Sequence, residues 1–198
     1  MAPAKINYKI YEGSTFQETF RWEADTKIYV PIQSISKTAP CVITTVSNHS
    51  IPIGWRIRVV GAQGMKEINN TSDDSYYIVT AVTSNTVTIN KLNSLNYSVH
   101  TASTGVIEYN QPVPLAGYTG VMQIRETLDS ATVIHEMNST NNQVYVDTTN
   151  NNITITIPAA TTRDFDFTTA VYSLELTQGT FVVPFLTGNM TLVREVTR

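Results

Sequence analysis

Apolar and polar residues alternate with a period of two through most of the chain. Ile153, Ile155 and Ile157 alternate with Thr154 and Thr156, which predicts a strand that is buried on one face and lined by threonine on the other. Similar alternation occurs over residues 55–59, 172–177 and 181–185. No segment repeats apolar residues at helical spacing for long enough to predict a full helix. The pattern therefore predicts an all-β protein made of antiparallel strands.

One short helical segment is predicted late in the chain. Pro158 suits the start of a helix, Thr161 or Thr162 can cap it, and residues 163–169 can form a turn or two. Two aromatic residues in this segment are expected to fill the space between sheets: Phe165 and Phe167.

The chain divides into outer and inner segments. Residues 1–34 contain only two predicted strands, too few to bury a sheet face alone, so we expect them to pair with strands after residue 111. Pro112 and Pro114 mark the return to this outer part. Because long insertions at loops cost little closure entropy, residues 35–110 are interpreted as an insertion. The sequence thus predicts a split β-sandwich, residues 1–34 with 111–198, interrupted by residues 35–110.

Charge and composition limit the classes of partner. Only 15% of the residues are charged, the net charge is −3, and Lys and Arg do not cluster. Because nucleic-acid binding needs a basic stripe, no nucleic-acid partner is expected. No run approaches the roughly 18 apolar residues of a membrane span, and residues 1–9 lack a signal-peptide pattern, so no membrane association is expected. Cys41 is the single cysteine, which excludes an internal disulfide.

The residues that usually carry catalysis are scattered. His49, His100 and His135 have no partner at metal-binding spacing, and zinc needs three or four converging ligands. The two carboxylate pairs, at residues 73–74 and at residues 164 and 166, lack the spacing of a calcium loop. A Ser-His-Asp triad or two carboxylates facing each other across a groove can come from distant positions, but no motif points to either. No enzymatic activity, metal ion or cofactor is predicted.

A structural ion pair is predicted within the outer domain. Arg125 lies on a strand between Ile124 and Glu126. If its side chain points inward, it needs a partner, because an unpaired buried charge is costly. Glu175, on a later strand of the same domain, is the candidate.

Four tyrosines of the inner segment are candidate surface aromatics: Tyr76, Tyr77, Tyr97 and Tyr109. Sugar-binding sites present exposed aromatic rings beside polar groups. The alternative is that these tyrosines pack against neighbouring residues on strand faces.

Residues 35–110 carry motifs that resemble a known module. These are 53–59 (IGWRIRV), 61–70 (GAQGMKEINN), 76–82 (YYIVTAV) and 86–89 (TVTI). They are similar to a small β-barrel related to the first catalytic-cysteine half-domain of ubiquitin-activating enzymes, versions of which recur in phage virion proteins. The resemblance implies an inserted small β-barrel and no activity. Gly61 and Gly64 are expected in tight turns, Met65 and Ile68 at the end of the barrel.

The outer segments carry a second set of motifs: 11–16 (YEGSTF), 114–125 (PLAGYTGVMQIR), 161–165 (TTRDF), 172–176 (YSLEL), 186–192 (LTGNMTL) and 196–198 (VTR). Together these stretches resemble the N-terminal domain of phage baseplate and tail proteins, the type found in lactococcal upper baseplate proteins. Ala116 departs from the polar residue expected before the Gly-Tyr pair.

This resemblance implies a non-enzymatic structural protein of a tailed-phage virion, made in the host cytoplasm. It would dock onto neighbouring tail, neck or baseplate subunits and form homo-oligomers within a symmetric assembly. Two alternatives stay open: a carbohydrate or receptor-binding module on the virion, and a capsid decoration protein.

Overall fold

The chain is all-β in the computed structural model, which describes residues 2–70, 72 and 75–195. In chain order the strands are β1 (Ala4–Lys5), β2 (Tyr8–Tyr11), β3 (Phe16–Arg21), β4 (Glu23–Ile35), β5 (Cys41–Thr45), β6 (Arg56–Val60), β7 (Tyr77–Ile78), β8 (Ala81–Val82), β9 (Thr86–Ile89), β10 (Val106–Pro112), β11 (Thr119–Arg125), β12 (His135–Asn138), β13 (Val144–Asp147), β14 (Asn152–Ile157), β15 (Thr169–Gln178) and β16 (Phe181–Val193). One helix, α1 (Ala159–Arg163), and one 3₁₀ turn (Lys66–Ile68) complete the described elements. Asp73, Asp74 and residues 196–198, which the sequence analysis used, lie outside the described residues.

The described chain forms two compact units, residues 2–21 with 114–195 and residues 22–113. The sequence placed the first boundary after residue 34, whereas β4 starts at Glu23 and belongs wholly to the second unit. Its first part pairs with β10 and its last part with β5. Pro31, three residues before the predicted boundary, lies within β4, opposite Val106. The second boundary, between Val113 and Pro114, is close to the prolines that predicted it.

The first unit contains two sheets. The six-stranded sheet has the order β1–β16–β15–β11–β12, with β2 also paired to β16, and the three-stranded sheet has the order β13–β14–β3. The arrangement is sandwich-like. Alternation decides its core: the isoleucines of β14 are fully buried, while Thr154 bonds Thr19 across the strands at 3.0 Å and Thr156 accepts a hydrogen bond from Gln17. The threonine-lined outer face of this strand is confirmed.

The N-terminal strands are the parallel exception in otherwise antiparallel sheets. β1 and β2 pair with successive parts of β16, Ala4 opposite Leu186 and Tyr8 opposite Met190. Between them, Ile6 donates its N–H to Thr187. The first and last described strands therefore lie side by side.

Helix α1 begins directly after Pro158, as predicted, and ends at Arg163, earlier than predicted. The hydroxyl of Thr162 does not cap this helix. Thr162 is buried, and its hydroxyl donates towards the carbonyl oxygens of Ser14 and Ala159 at 2.8 and 3.1 Å. Phe165 and Phe167 follow the helix, are 5% and 8% exposed, and pack against each other. Their predicted burial is confirmed.

The second unit is one seven-stranded sheet in the order β7–β6–β10–β4–β5–β9–β8. Its two end strands are separated in sequence only by Val79 and Thr80. Val79 exchanges backbone hydrogen bonds with residues 54 and 55, before β6, and Thr80 donates to Thr88 on β9. One short segment thus links both ends of the sheet around a single apolar cluster. Trp55 is fully buried in this cluster, and its indole N–H donates to the Asn110 carbonyl at 2.9 Å.

Candidate functional site

The glycine-rich motif at residues 61–70 serves the fold. Met65 and Ile68 are fully buried. The side chain of Asn69 forms hydrogen bonds with both backbone polar groups of Ala62. It accepts from the N–H and donates to the C=O, each at 2.9 Å. Asn70 accepts from the Val59 N–H at 2.8 Å. A Cβ on Gly64 would stand 2.1 Å from the Val99 carbonyl oxygen. Glycine at this position therefore allows the turn at residue 64 to pack closely against the backbone of Val99.

The four candidate surface tyrosines have different environments. Tyr109 is only 5% exposed, so its prediction as a surface aromatic is wrong: its strand face points into the core. Tyr77 and Tyr97 are half-buried against the same core, and the Tyr77 hydroxyl donates to the Ile68 carbonyl at 3.0 Å. Tyr76 is 47% exposed. Of the four, Tyr76 is therefore the exposed residue.

Arg125 and Glu175 do not form the predicted ion pair. Across β11 and β15, Arg125 lies opposite Val171, and Glu175 lies opposite Val121 and is exposed. The guanidinium of Arg125 instead donates to the Ser130 carbonyl at 2.6 Å and to the Gln123 side-chain oxygen at 2.8 Å. The prediction is wrong because register, which the sequence did not reveal, separates the two residues by four positions.

Tyr76 borders a polar groove of about 320 Å³ in the second unit. Glu108, 9% exposed, accepts from Lys27 at 2.5 Å and from Arg58 at 3.2 Å. Arg56 binds Glu23 at 2.7 Å, and its guanidinium lies 5.7 Å from the centre of the Tyr76 ring. Sequence reasoning missed this network, although Arg56 and Arg58 on alternate positions of one strand were a signal that both point to the same side.

Tyr76 also borders a second groove, of about 230 Å³, with a mainly apolar lining. Tyr77, Ile78 and Leu92 form its walls, with the exposed Lys91 at its side. The Tyr76 ring is thus the shared wall of two grooves of opposite character.

The first unit has its own groove, of about 570 Å³, with Glu126 and Asp166 among its lining residues. The side chain of Asp166 is 93% exposed and binds Arg194 at 2.8 Å. A carboxyl group that acts as a general acid is usually held in apolar surroundings. The solvated, ion-paired Asp166 lacks that environment.

An apolar patch lies on the outer face of the six-stranded sheet and at the tip of its β15–β16 hairpin. Phe181 is 60%, Val182 51% and Val121 42% exposed, and Pro184 is also exposed. Glu175 on β15 lies opposite both Val121 and Pro184, which places these two residues on one face. We name Val121, Phe181, Val182 and Pro184 the docking patch. The alternation that suggested an inward-facing Phe181 does not hold at the hairpin tip.

The histidines and the cysteine hold local structure. His49 accepts from the Ile51 N–H at 3.2 Å, His100 contacts the Thr104 carbonyl, and His135 contacts the Gln143 side chain. Cys41 is fully buried, and burial raises the pKa of its thiol. Within the described ranges, no three residues of the types His, Cys, Asp and Glu form a group that could hold a metal ion.

No helix in the described part of the chain has the length and apolar character needed to cross a membrane. No protein-family model matches this chain, and no curated protein matches it either.

Proposed function

We propose that the chain is a non-enzymatic structural protein of a tailed-phage virion, docking through the docking patch onto neighbouring tail, neck or baseplate subunits. The observation that carries this proposal is the exposure of Phe181 and Val182 at the tip of the β15–β16 hairpin. Exposed apolar side chains that are grouped together are characteristic of protein–protein interaction sites.

The surroundings of the patch suit a protein partner. Thr119 and Thr177 lie opposite each other on β11 and β15, and Val182 lies opposite Thr177. Apolar side chains surrounded by hydroxyl groups correspond to the apolar core and polar rim of a specific interface. A stable interface buries about 1,200–2,000 Å² in total, so the threonine-rich face around the patch must take part.

The test is incorporation into particles. Virions assembled with the double variant Phe181→Ser, Val182→Glu should lack the protein, while the purified variant keeps the wild-type melting temperature. Tyr145→Ser is the matched control, because Tyr145 is 56% exposed on β13 of the other sheet. Its incorporation should equal that of the wild type. Normal incorporation of the double variant, or absence of the wild-type protein from purified virions, would contradict the proposal.

Cryo-electron microscopy of the particle distinguishes tail, neck or baseplate docking from capsid decoration. In the proposed arrangement, the β15–β16 hairpin contacts a tail, neck or baseplate subunit. Density for this chain on the capsid lattice would favour the capsid decoration alternative.

A further inference from the structure

Tyr76 separates two grooves of the second unit, one charged and one apolar. Tyr76 is 47% exposed although Arg56 lies against one side of its ring. An open aromatic ring that also forms the wall of a groove offers a flat apolar surface to a ligand.

The Tyr76 ring is held in place before any ligand binds. Arg56 is anchored by its ion pair with Glu23, and a cation over an aromatic ring is attracted to it. The next residue, Tyr77, is half-buried and fixed by its hydrogen bond to the Ile68 carbonyl. Because these contacts already order the segment, binding would lose little conformational entropy.

The polar groups around the Tyr76 ring indicate the kind of ligand. In the charged groove, Glu108 contacts both Lys27 and Arg58, and Arg56 is paired with Glu23, so each of these three cations already has a carboxylate partner. Such a groove presents donors and acceptors together, which suits hydroxyl groups better than a phosphate or a carboxylate. On the other side of the ring, Ile78 and Leu92 offer apolar surface and Lys91 a donor.

We propose that Tyr76 and the two grooves beside it bind an uncharged pyranose unit of an oligosaccharide, with the C–H face of the sugar stacked on the Tyr76 ring. A pyranose has an apolar ring face and a rim of hydroxyl groups, which match the ring and the polar groups beside it. Both grooves are near or below the roughly 300 Å³ at which pockets for drug-sized ligands begin, so each side accommodates about one sugar unit. The site lies in the other unit from the docking patch and does not depend on the proposed assembly function.

The experiment is a titration of the full chain with uncharged di- to tetrasaccharides of glucose, galactose, rhamnose and N-acetylglucosamine, at millimolar concentration, followed by amide NMR shifts. At least one should shift the amides of residues 76–78 and 91–92. Tyr76→Ala should weaken binding about tenfold, the equivalent of a stacking contribution near the top of the usual aromatic range. Tyr76→Phe should bind like the wild type.

Tyr145→Ala serves as the matched control, because Tyr145 is a similarly exposed tyrosine of the other unit; it should leave affinity unchanged. Amide spectra of the free variants establish that each is folded. The proposal is overturned if no uncharged saccharide shifts these amides, if only sialic or uronic acid oligosaccharides do, or if folded Tyr76→Ala binds as tightly as the wild type.

Discussion

The hydroxyl group of Tyr172 donates a hydrogen bond of 2.9 Å to the carbonyl oxygen of Ile6, in the gap between β1 and β2. Gly188 lies at the same place, where a Cβ would stand 1.8 Å from that oxygen. The Asn7 side chain accepts a bond from the Asn189 N–H at 3.0 Å. Together with the backbone hydrogen bond from Ile6 to Thr187, these side-chain contacts hold the N-terminal edge of the sheet.

Gly188→Ala should displace the N-terminal edge strand. The added methyl group meets the backbone of Ile6, which cannot move without breaking the pairing of β1 and β2 with β16. We expect the free energy of unfolding to fall by about 1–3 kcal/mol, the usual cost of overpacking, and the amides of residues 8–11 to exchange faster with solvent. Gly179→Ala is the control, because no atom lies within 4 Å of a Cβ at this position. Its expected loss of stability is only the cost of placing alanine in a left-handed backbone conformation, about 1 kcal/mol. Unchanged exchange at residues 8–11 in Gly188→Ala would contradict this account.

Stability should fall in strongly alkaline solution because of Tyr8. Burial, with a contribution from the Glu18 carboxylate, raises the pKa of Tyr8 to about 12. The unfolded chain ionises near the ordinary pKa of 10.0, so the stability that this residue contributes is complete below pH 10 and is lost as the pH rises towards 12.

Urea unfolding at several pH values between 9 and 12 tests this prediction. The urea midpoint of the wild type should drop across this range, and that of Tyr8→Phe should drop less. Some loss remains in the variant, because burial also raises the pKa of Tyr172. Tyr145→Phe, at an exposed position, should follow the wild type. A Tyr8→Phe profile identical to that of the wild type would show that Tyr8 does not carry the effect.

Glu108→Gln should destabilise the second unit. The side chain of Glu108 is 11% exposed and contacts Lys27 and Arg58, and Arg58 is itself only 17% exposed. Removing the charge weakens charge-assisted hydrogen bonds that water cannot readily replace, at a cost of about 1.5–3 kcal/mol. Equilibrium urea unfolding measures it. Glu175→Gln, an exposed strand position, should change stability by less than about 0.5 kcal/mol. Equal effects of the two substitutions would be incompatible with the role assigned to Glu108.

Asn69→Asp should cost stability although the two side chains have almost the same shape. The amide nitrogen of Asn69 donates to the Ala62 carbonyl, and a carboxylate placed there has no proton to donate. We expect a loss of about 1–3 kcal/mol, measured by urea unfolding. Asn93→Asp is the control, because the side chain of Asn93 accepts from the Leu95 N–H, a role that a carboxylate can also fill, so it should be tolerated. A stable Asn69→Asp protein would mean that the contact with Ala62 is dispensable.

Several features of the fold could be predicted because they are encoded locally. The burial of Phe165 and Phe167 follows from large apolar rings in a short connecting segment. The burial of Met65 and Ile68 follows from residue type and from neighbouring turns. Each of these conclusions needs only a few consecutive residues.

The candidate sites could be predicted only in part, because they depend on residues far apart in the chain. Lys27 and Glu108 are 81 positions apart and meet only because β4 pairs with β10. Tyr109 is buried because its face of β10 turns to the core, whereas Tyr76 lies just before β7 and is exposed. Residue type alone does not distinguish the two.

By itself, the sequence determined the all-β class and the threonine-lined face of β14, because a period of two follows directly from strand geometry. Only the tertiary structure decided that the whole of β4 belongs to the second unit, that Arg125 contacts Ser130 rather than Glu175, and that Phe181 is exposed. The physical reason is register. The pairing of distant strands sets which side chains become neighbours, and a shift of one residue would turn every side chain of a strand to its other face.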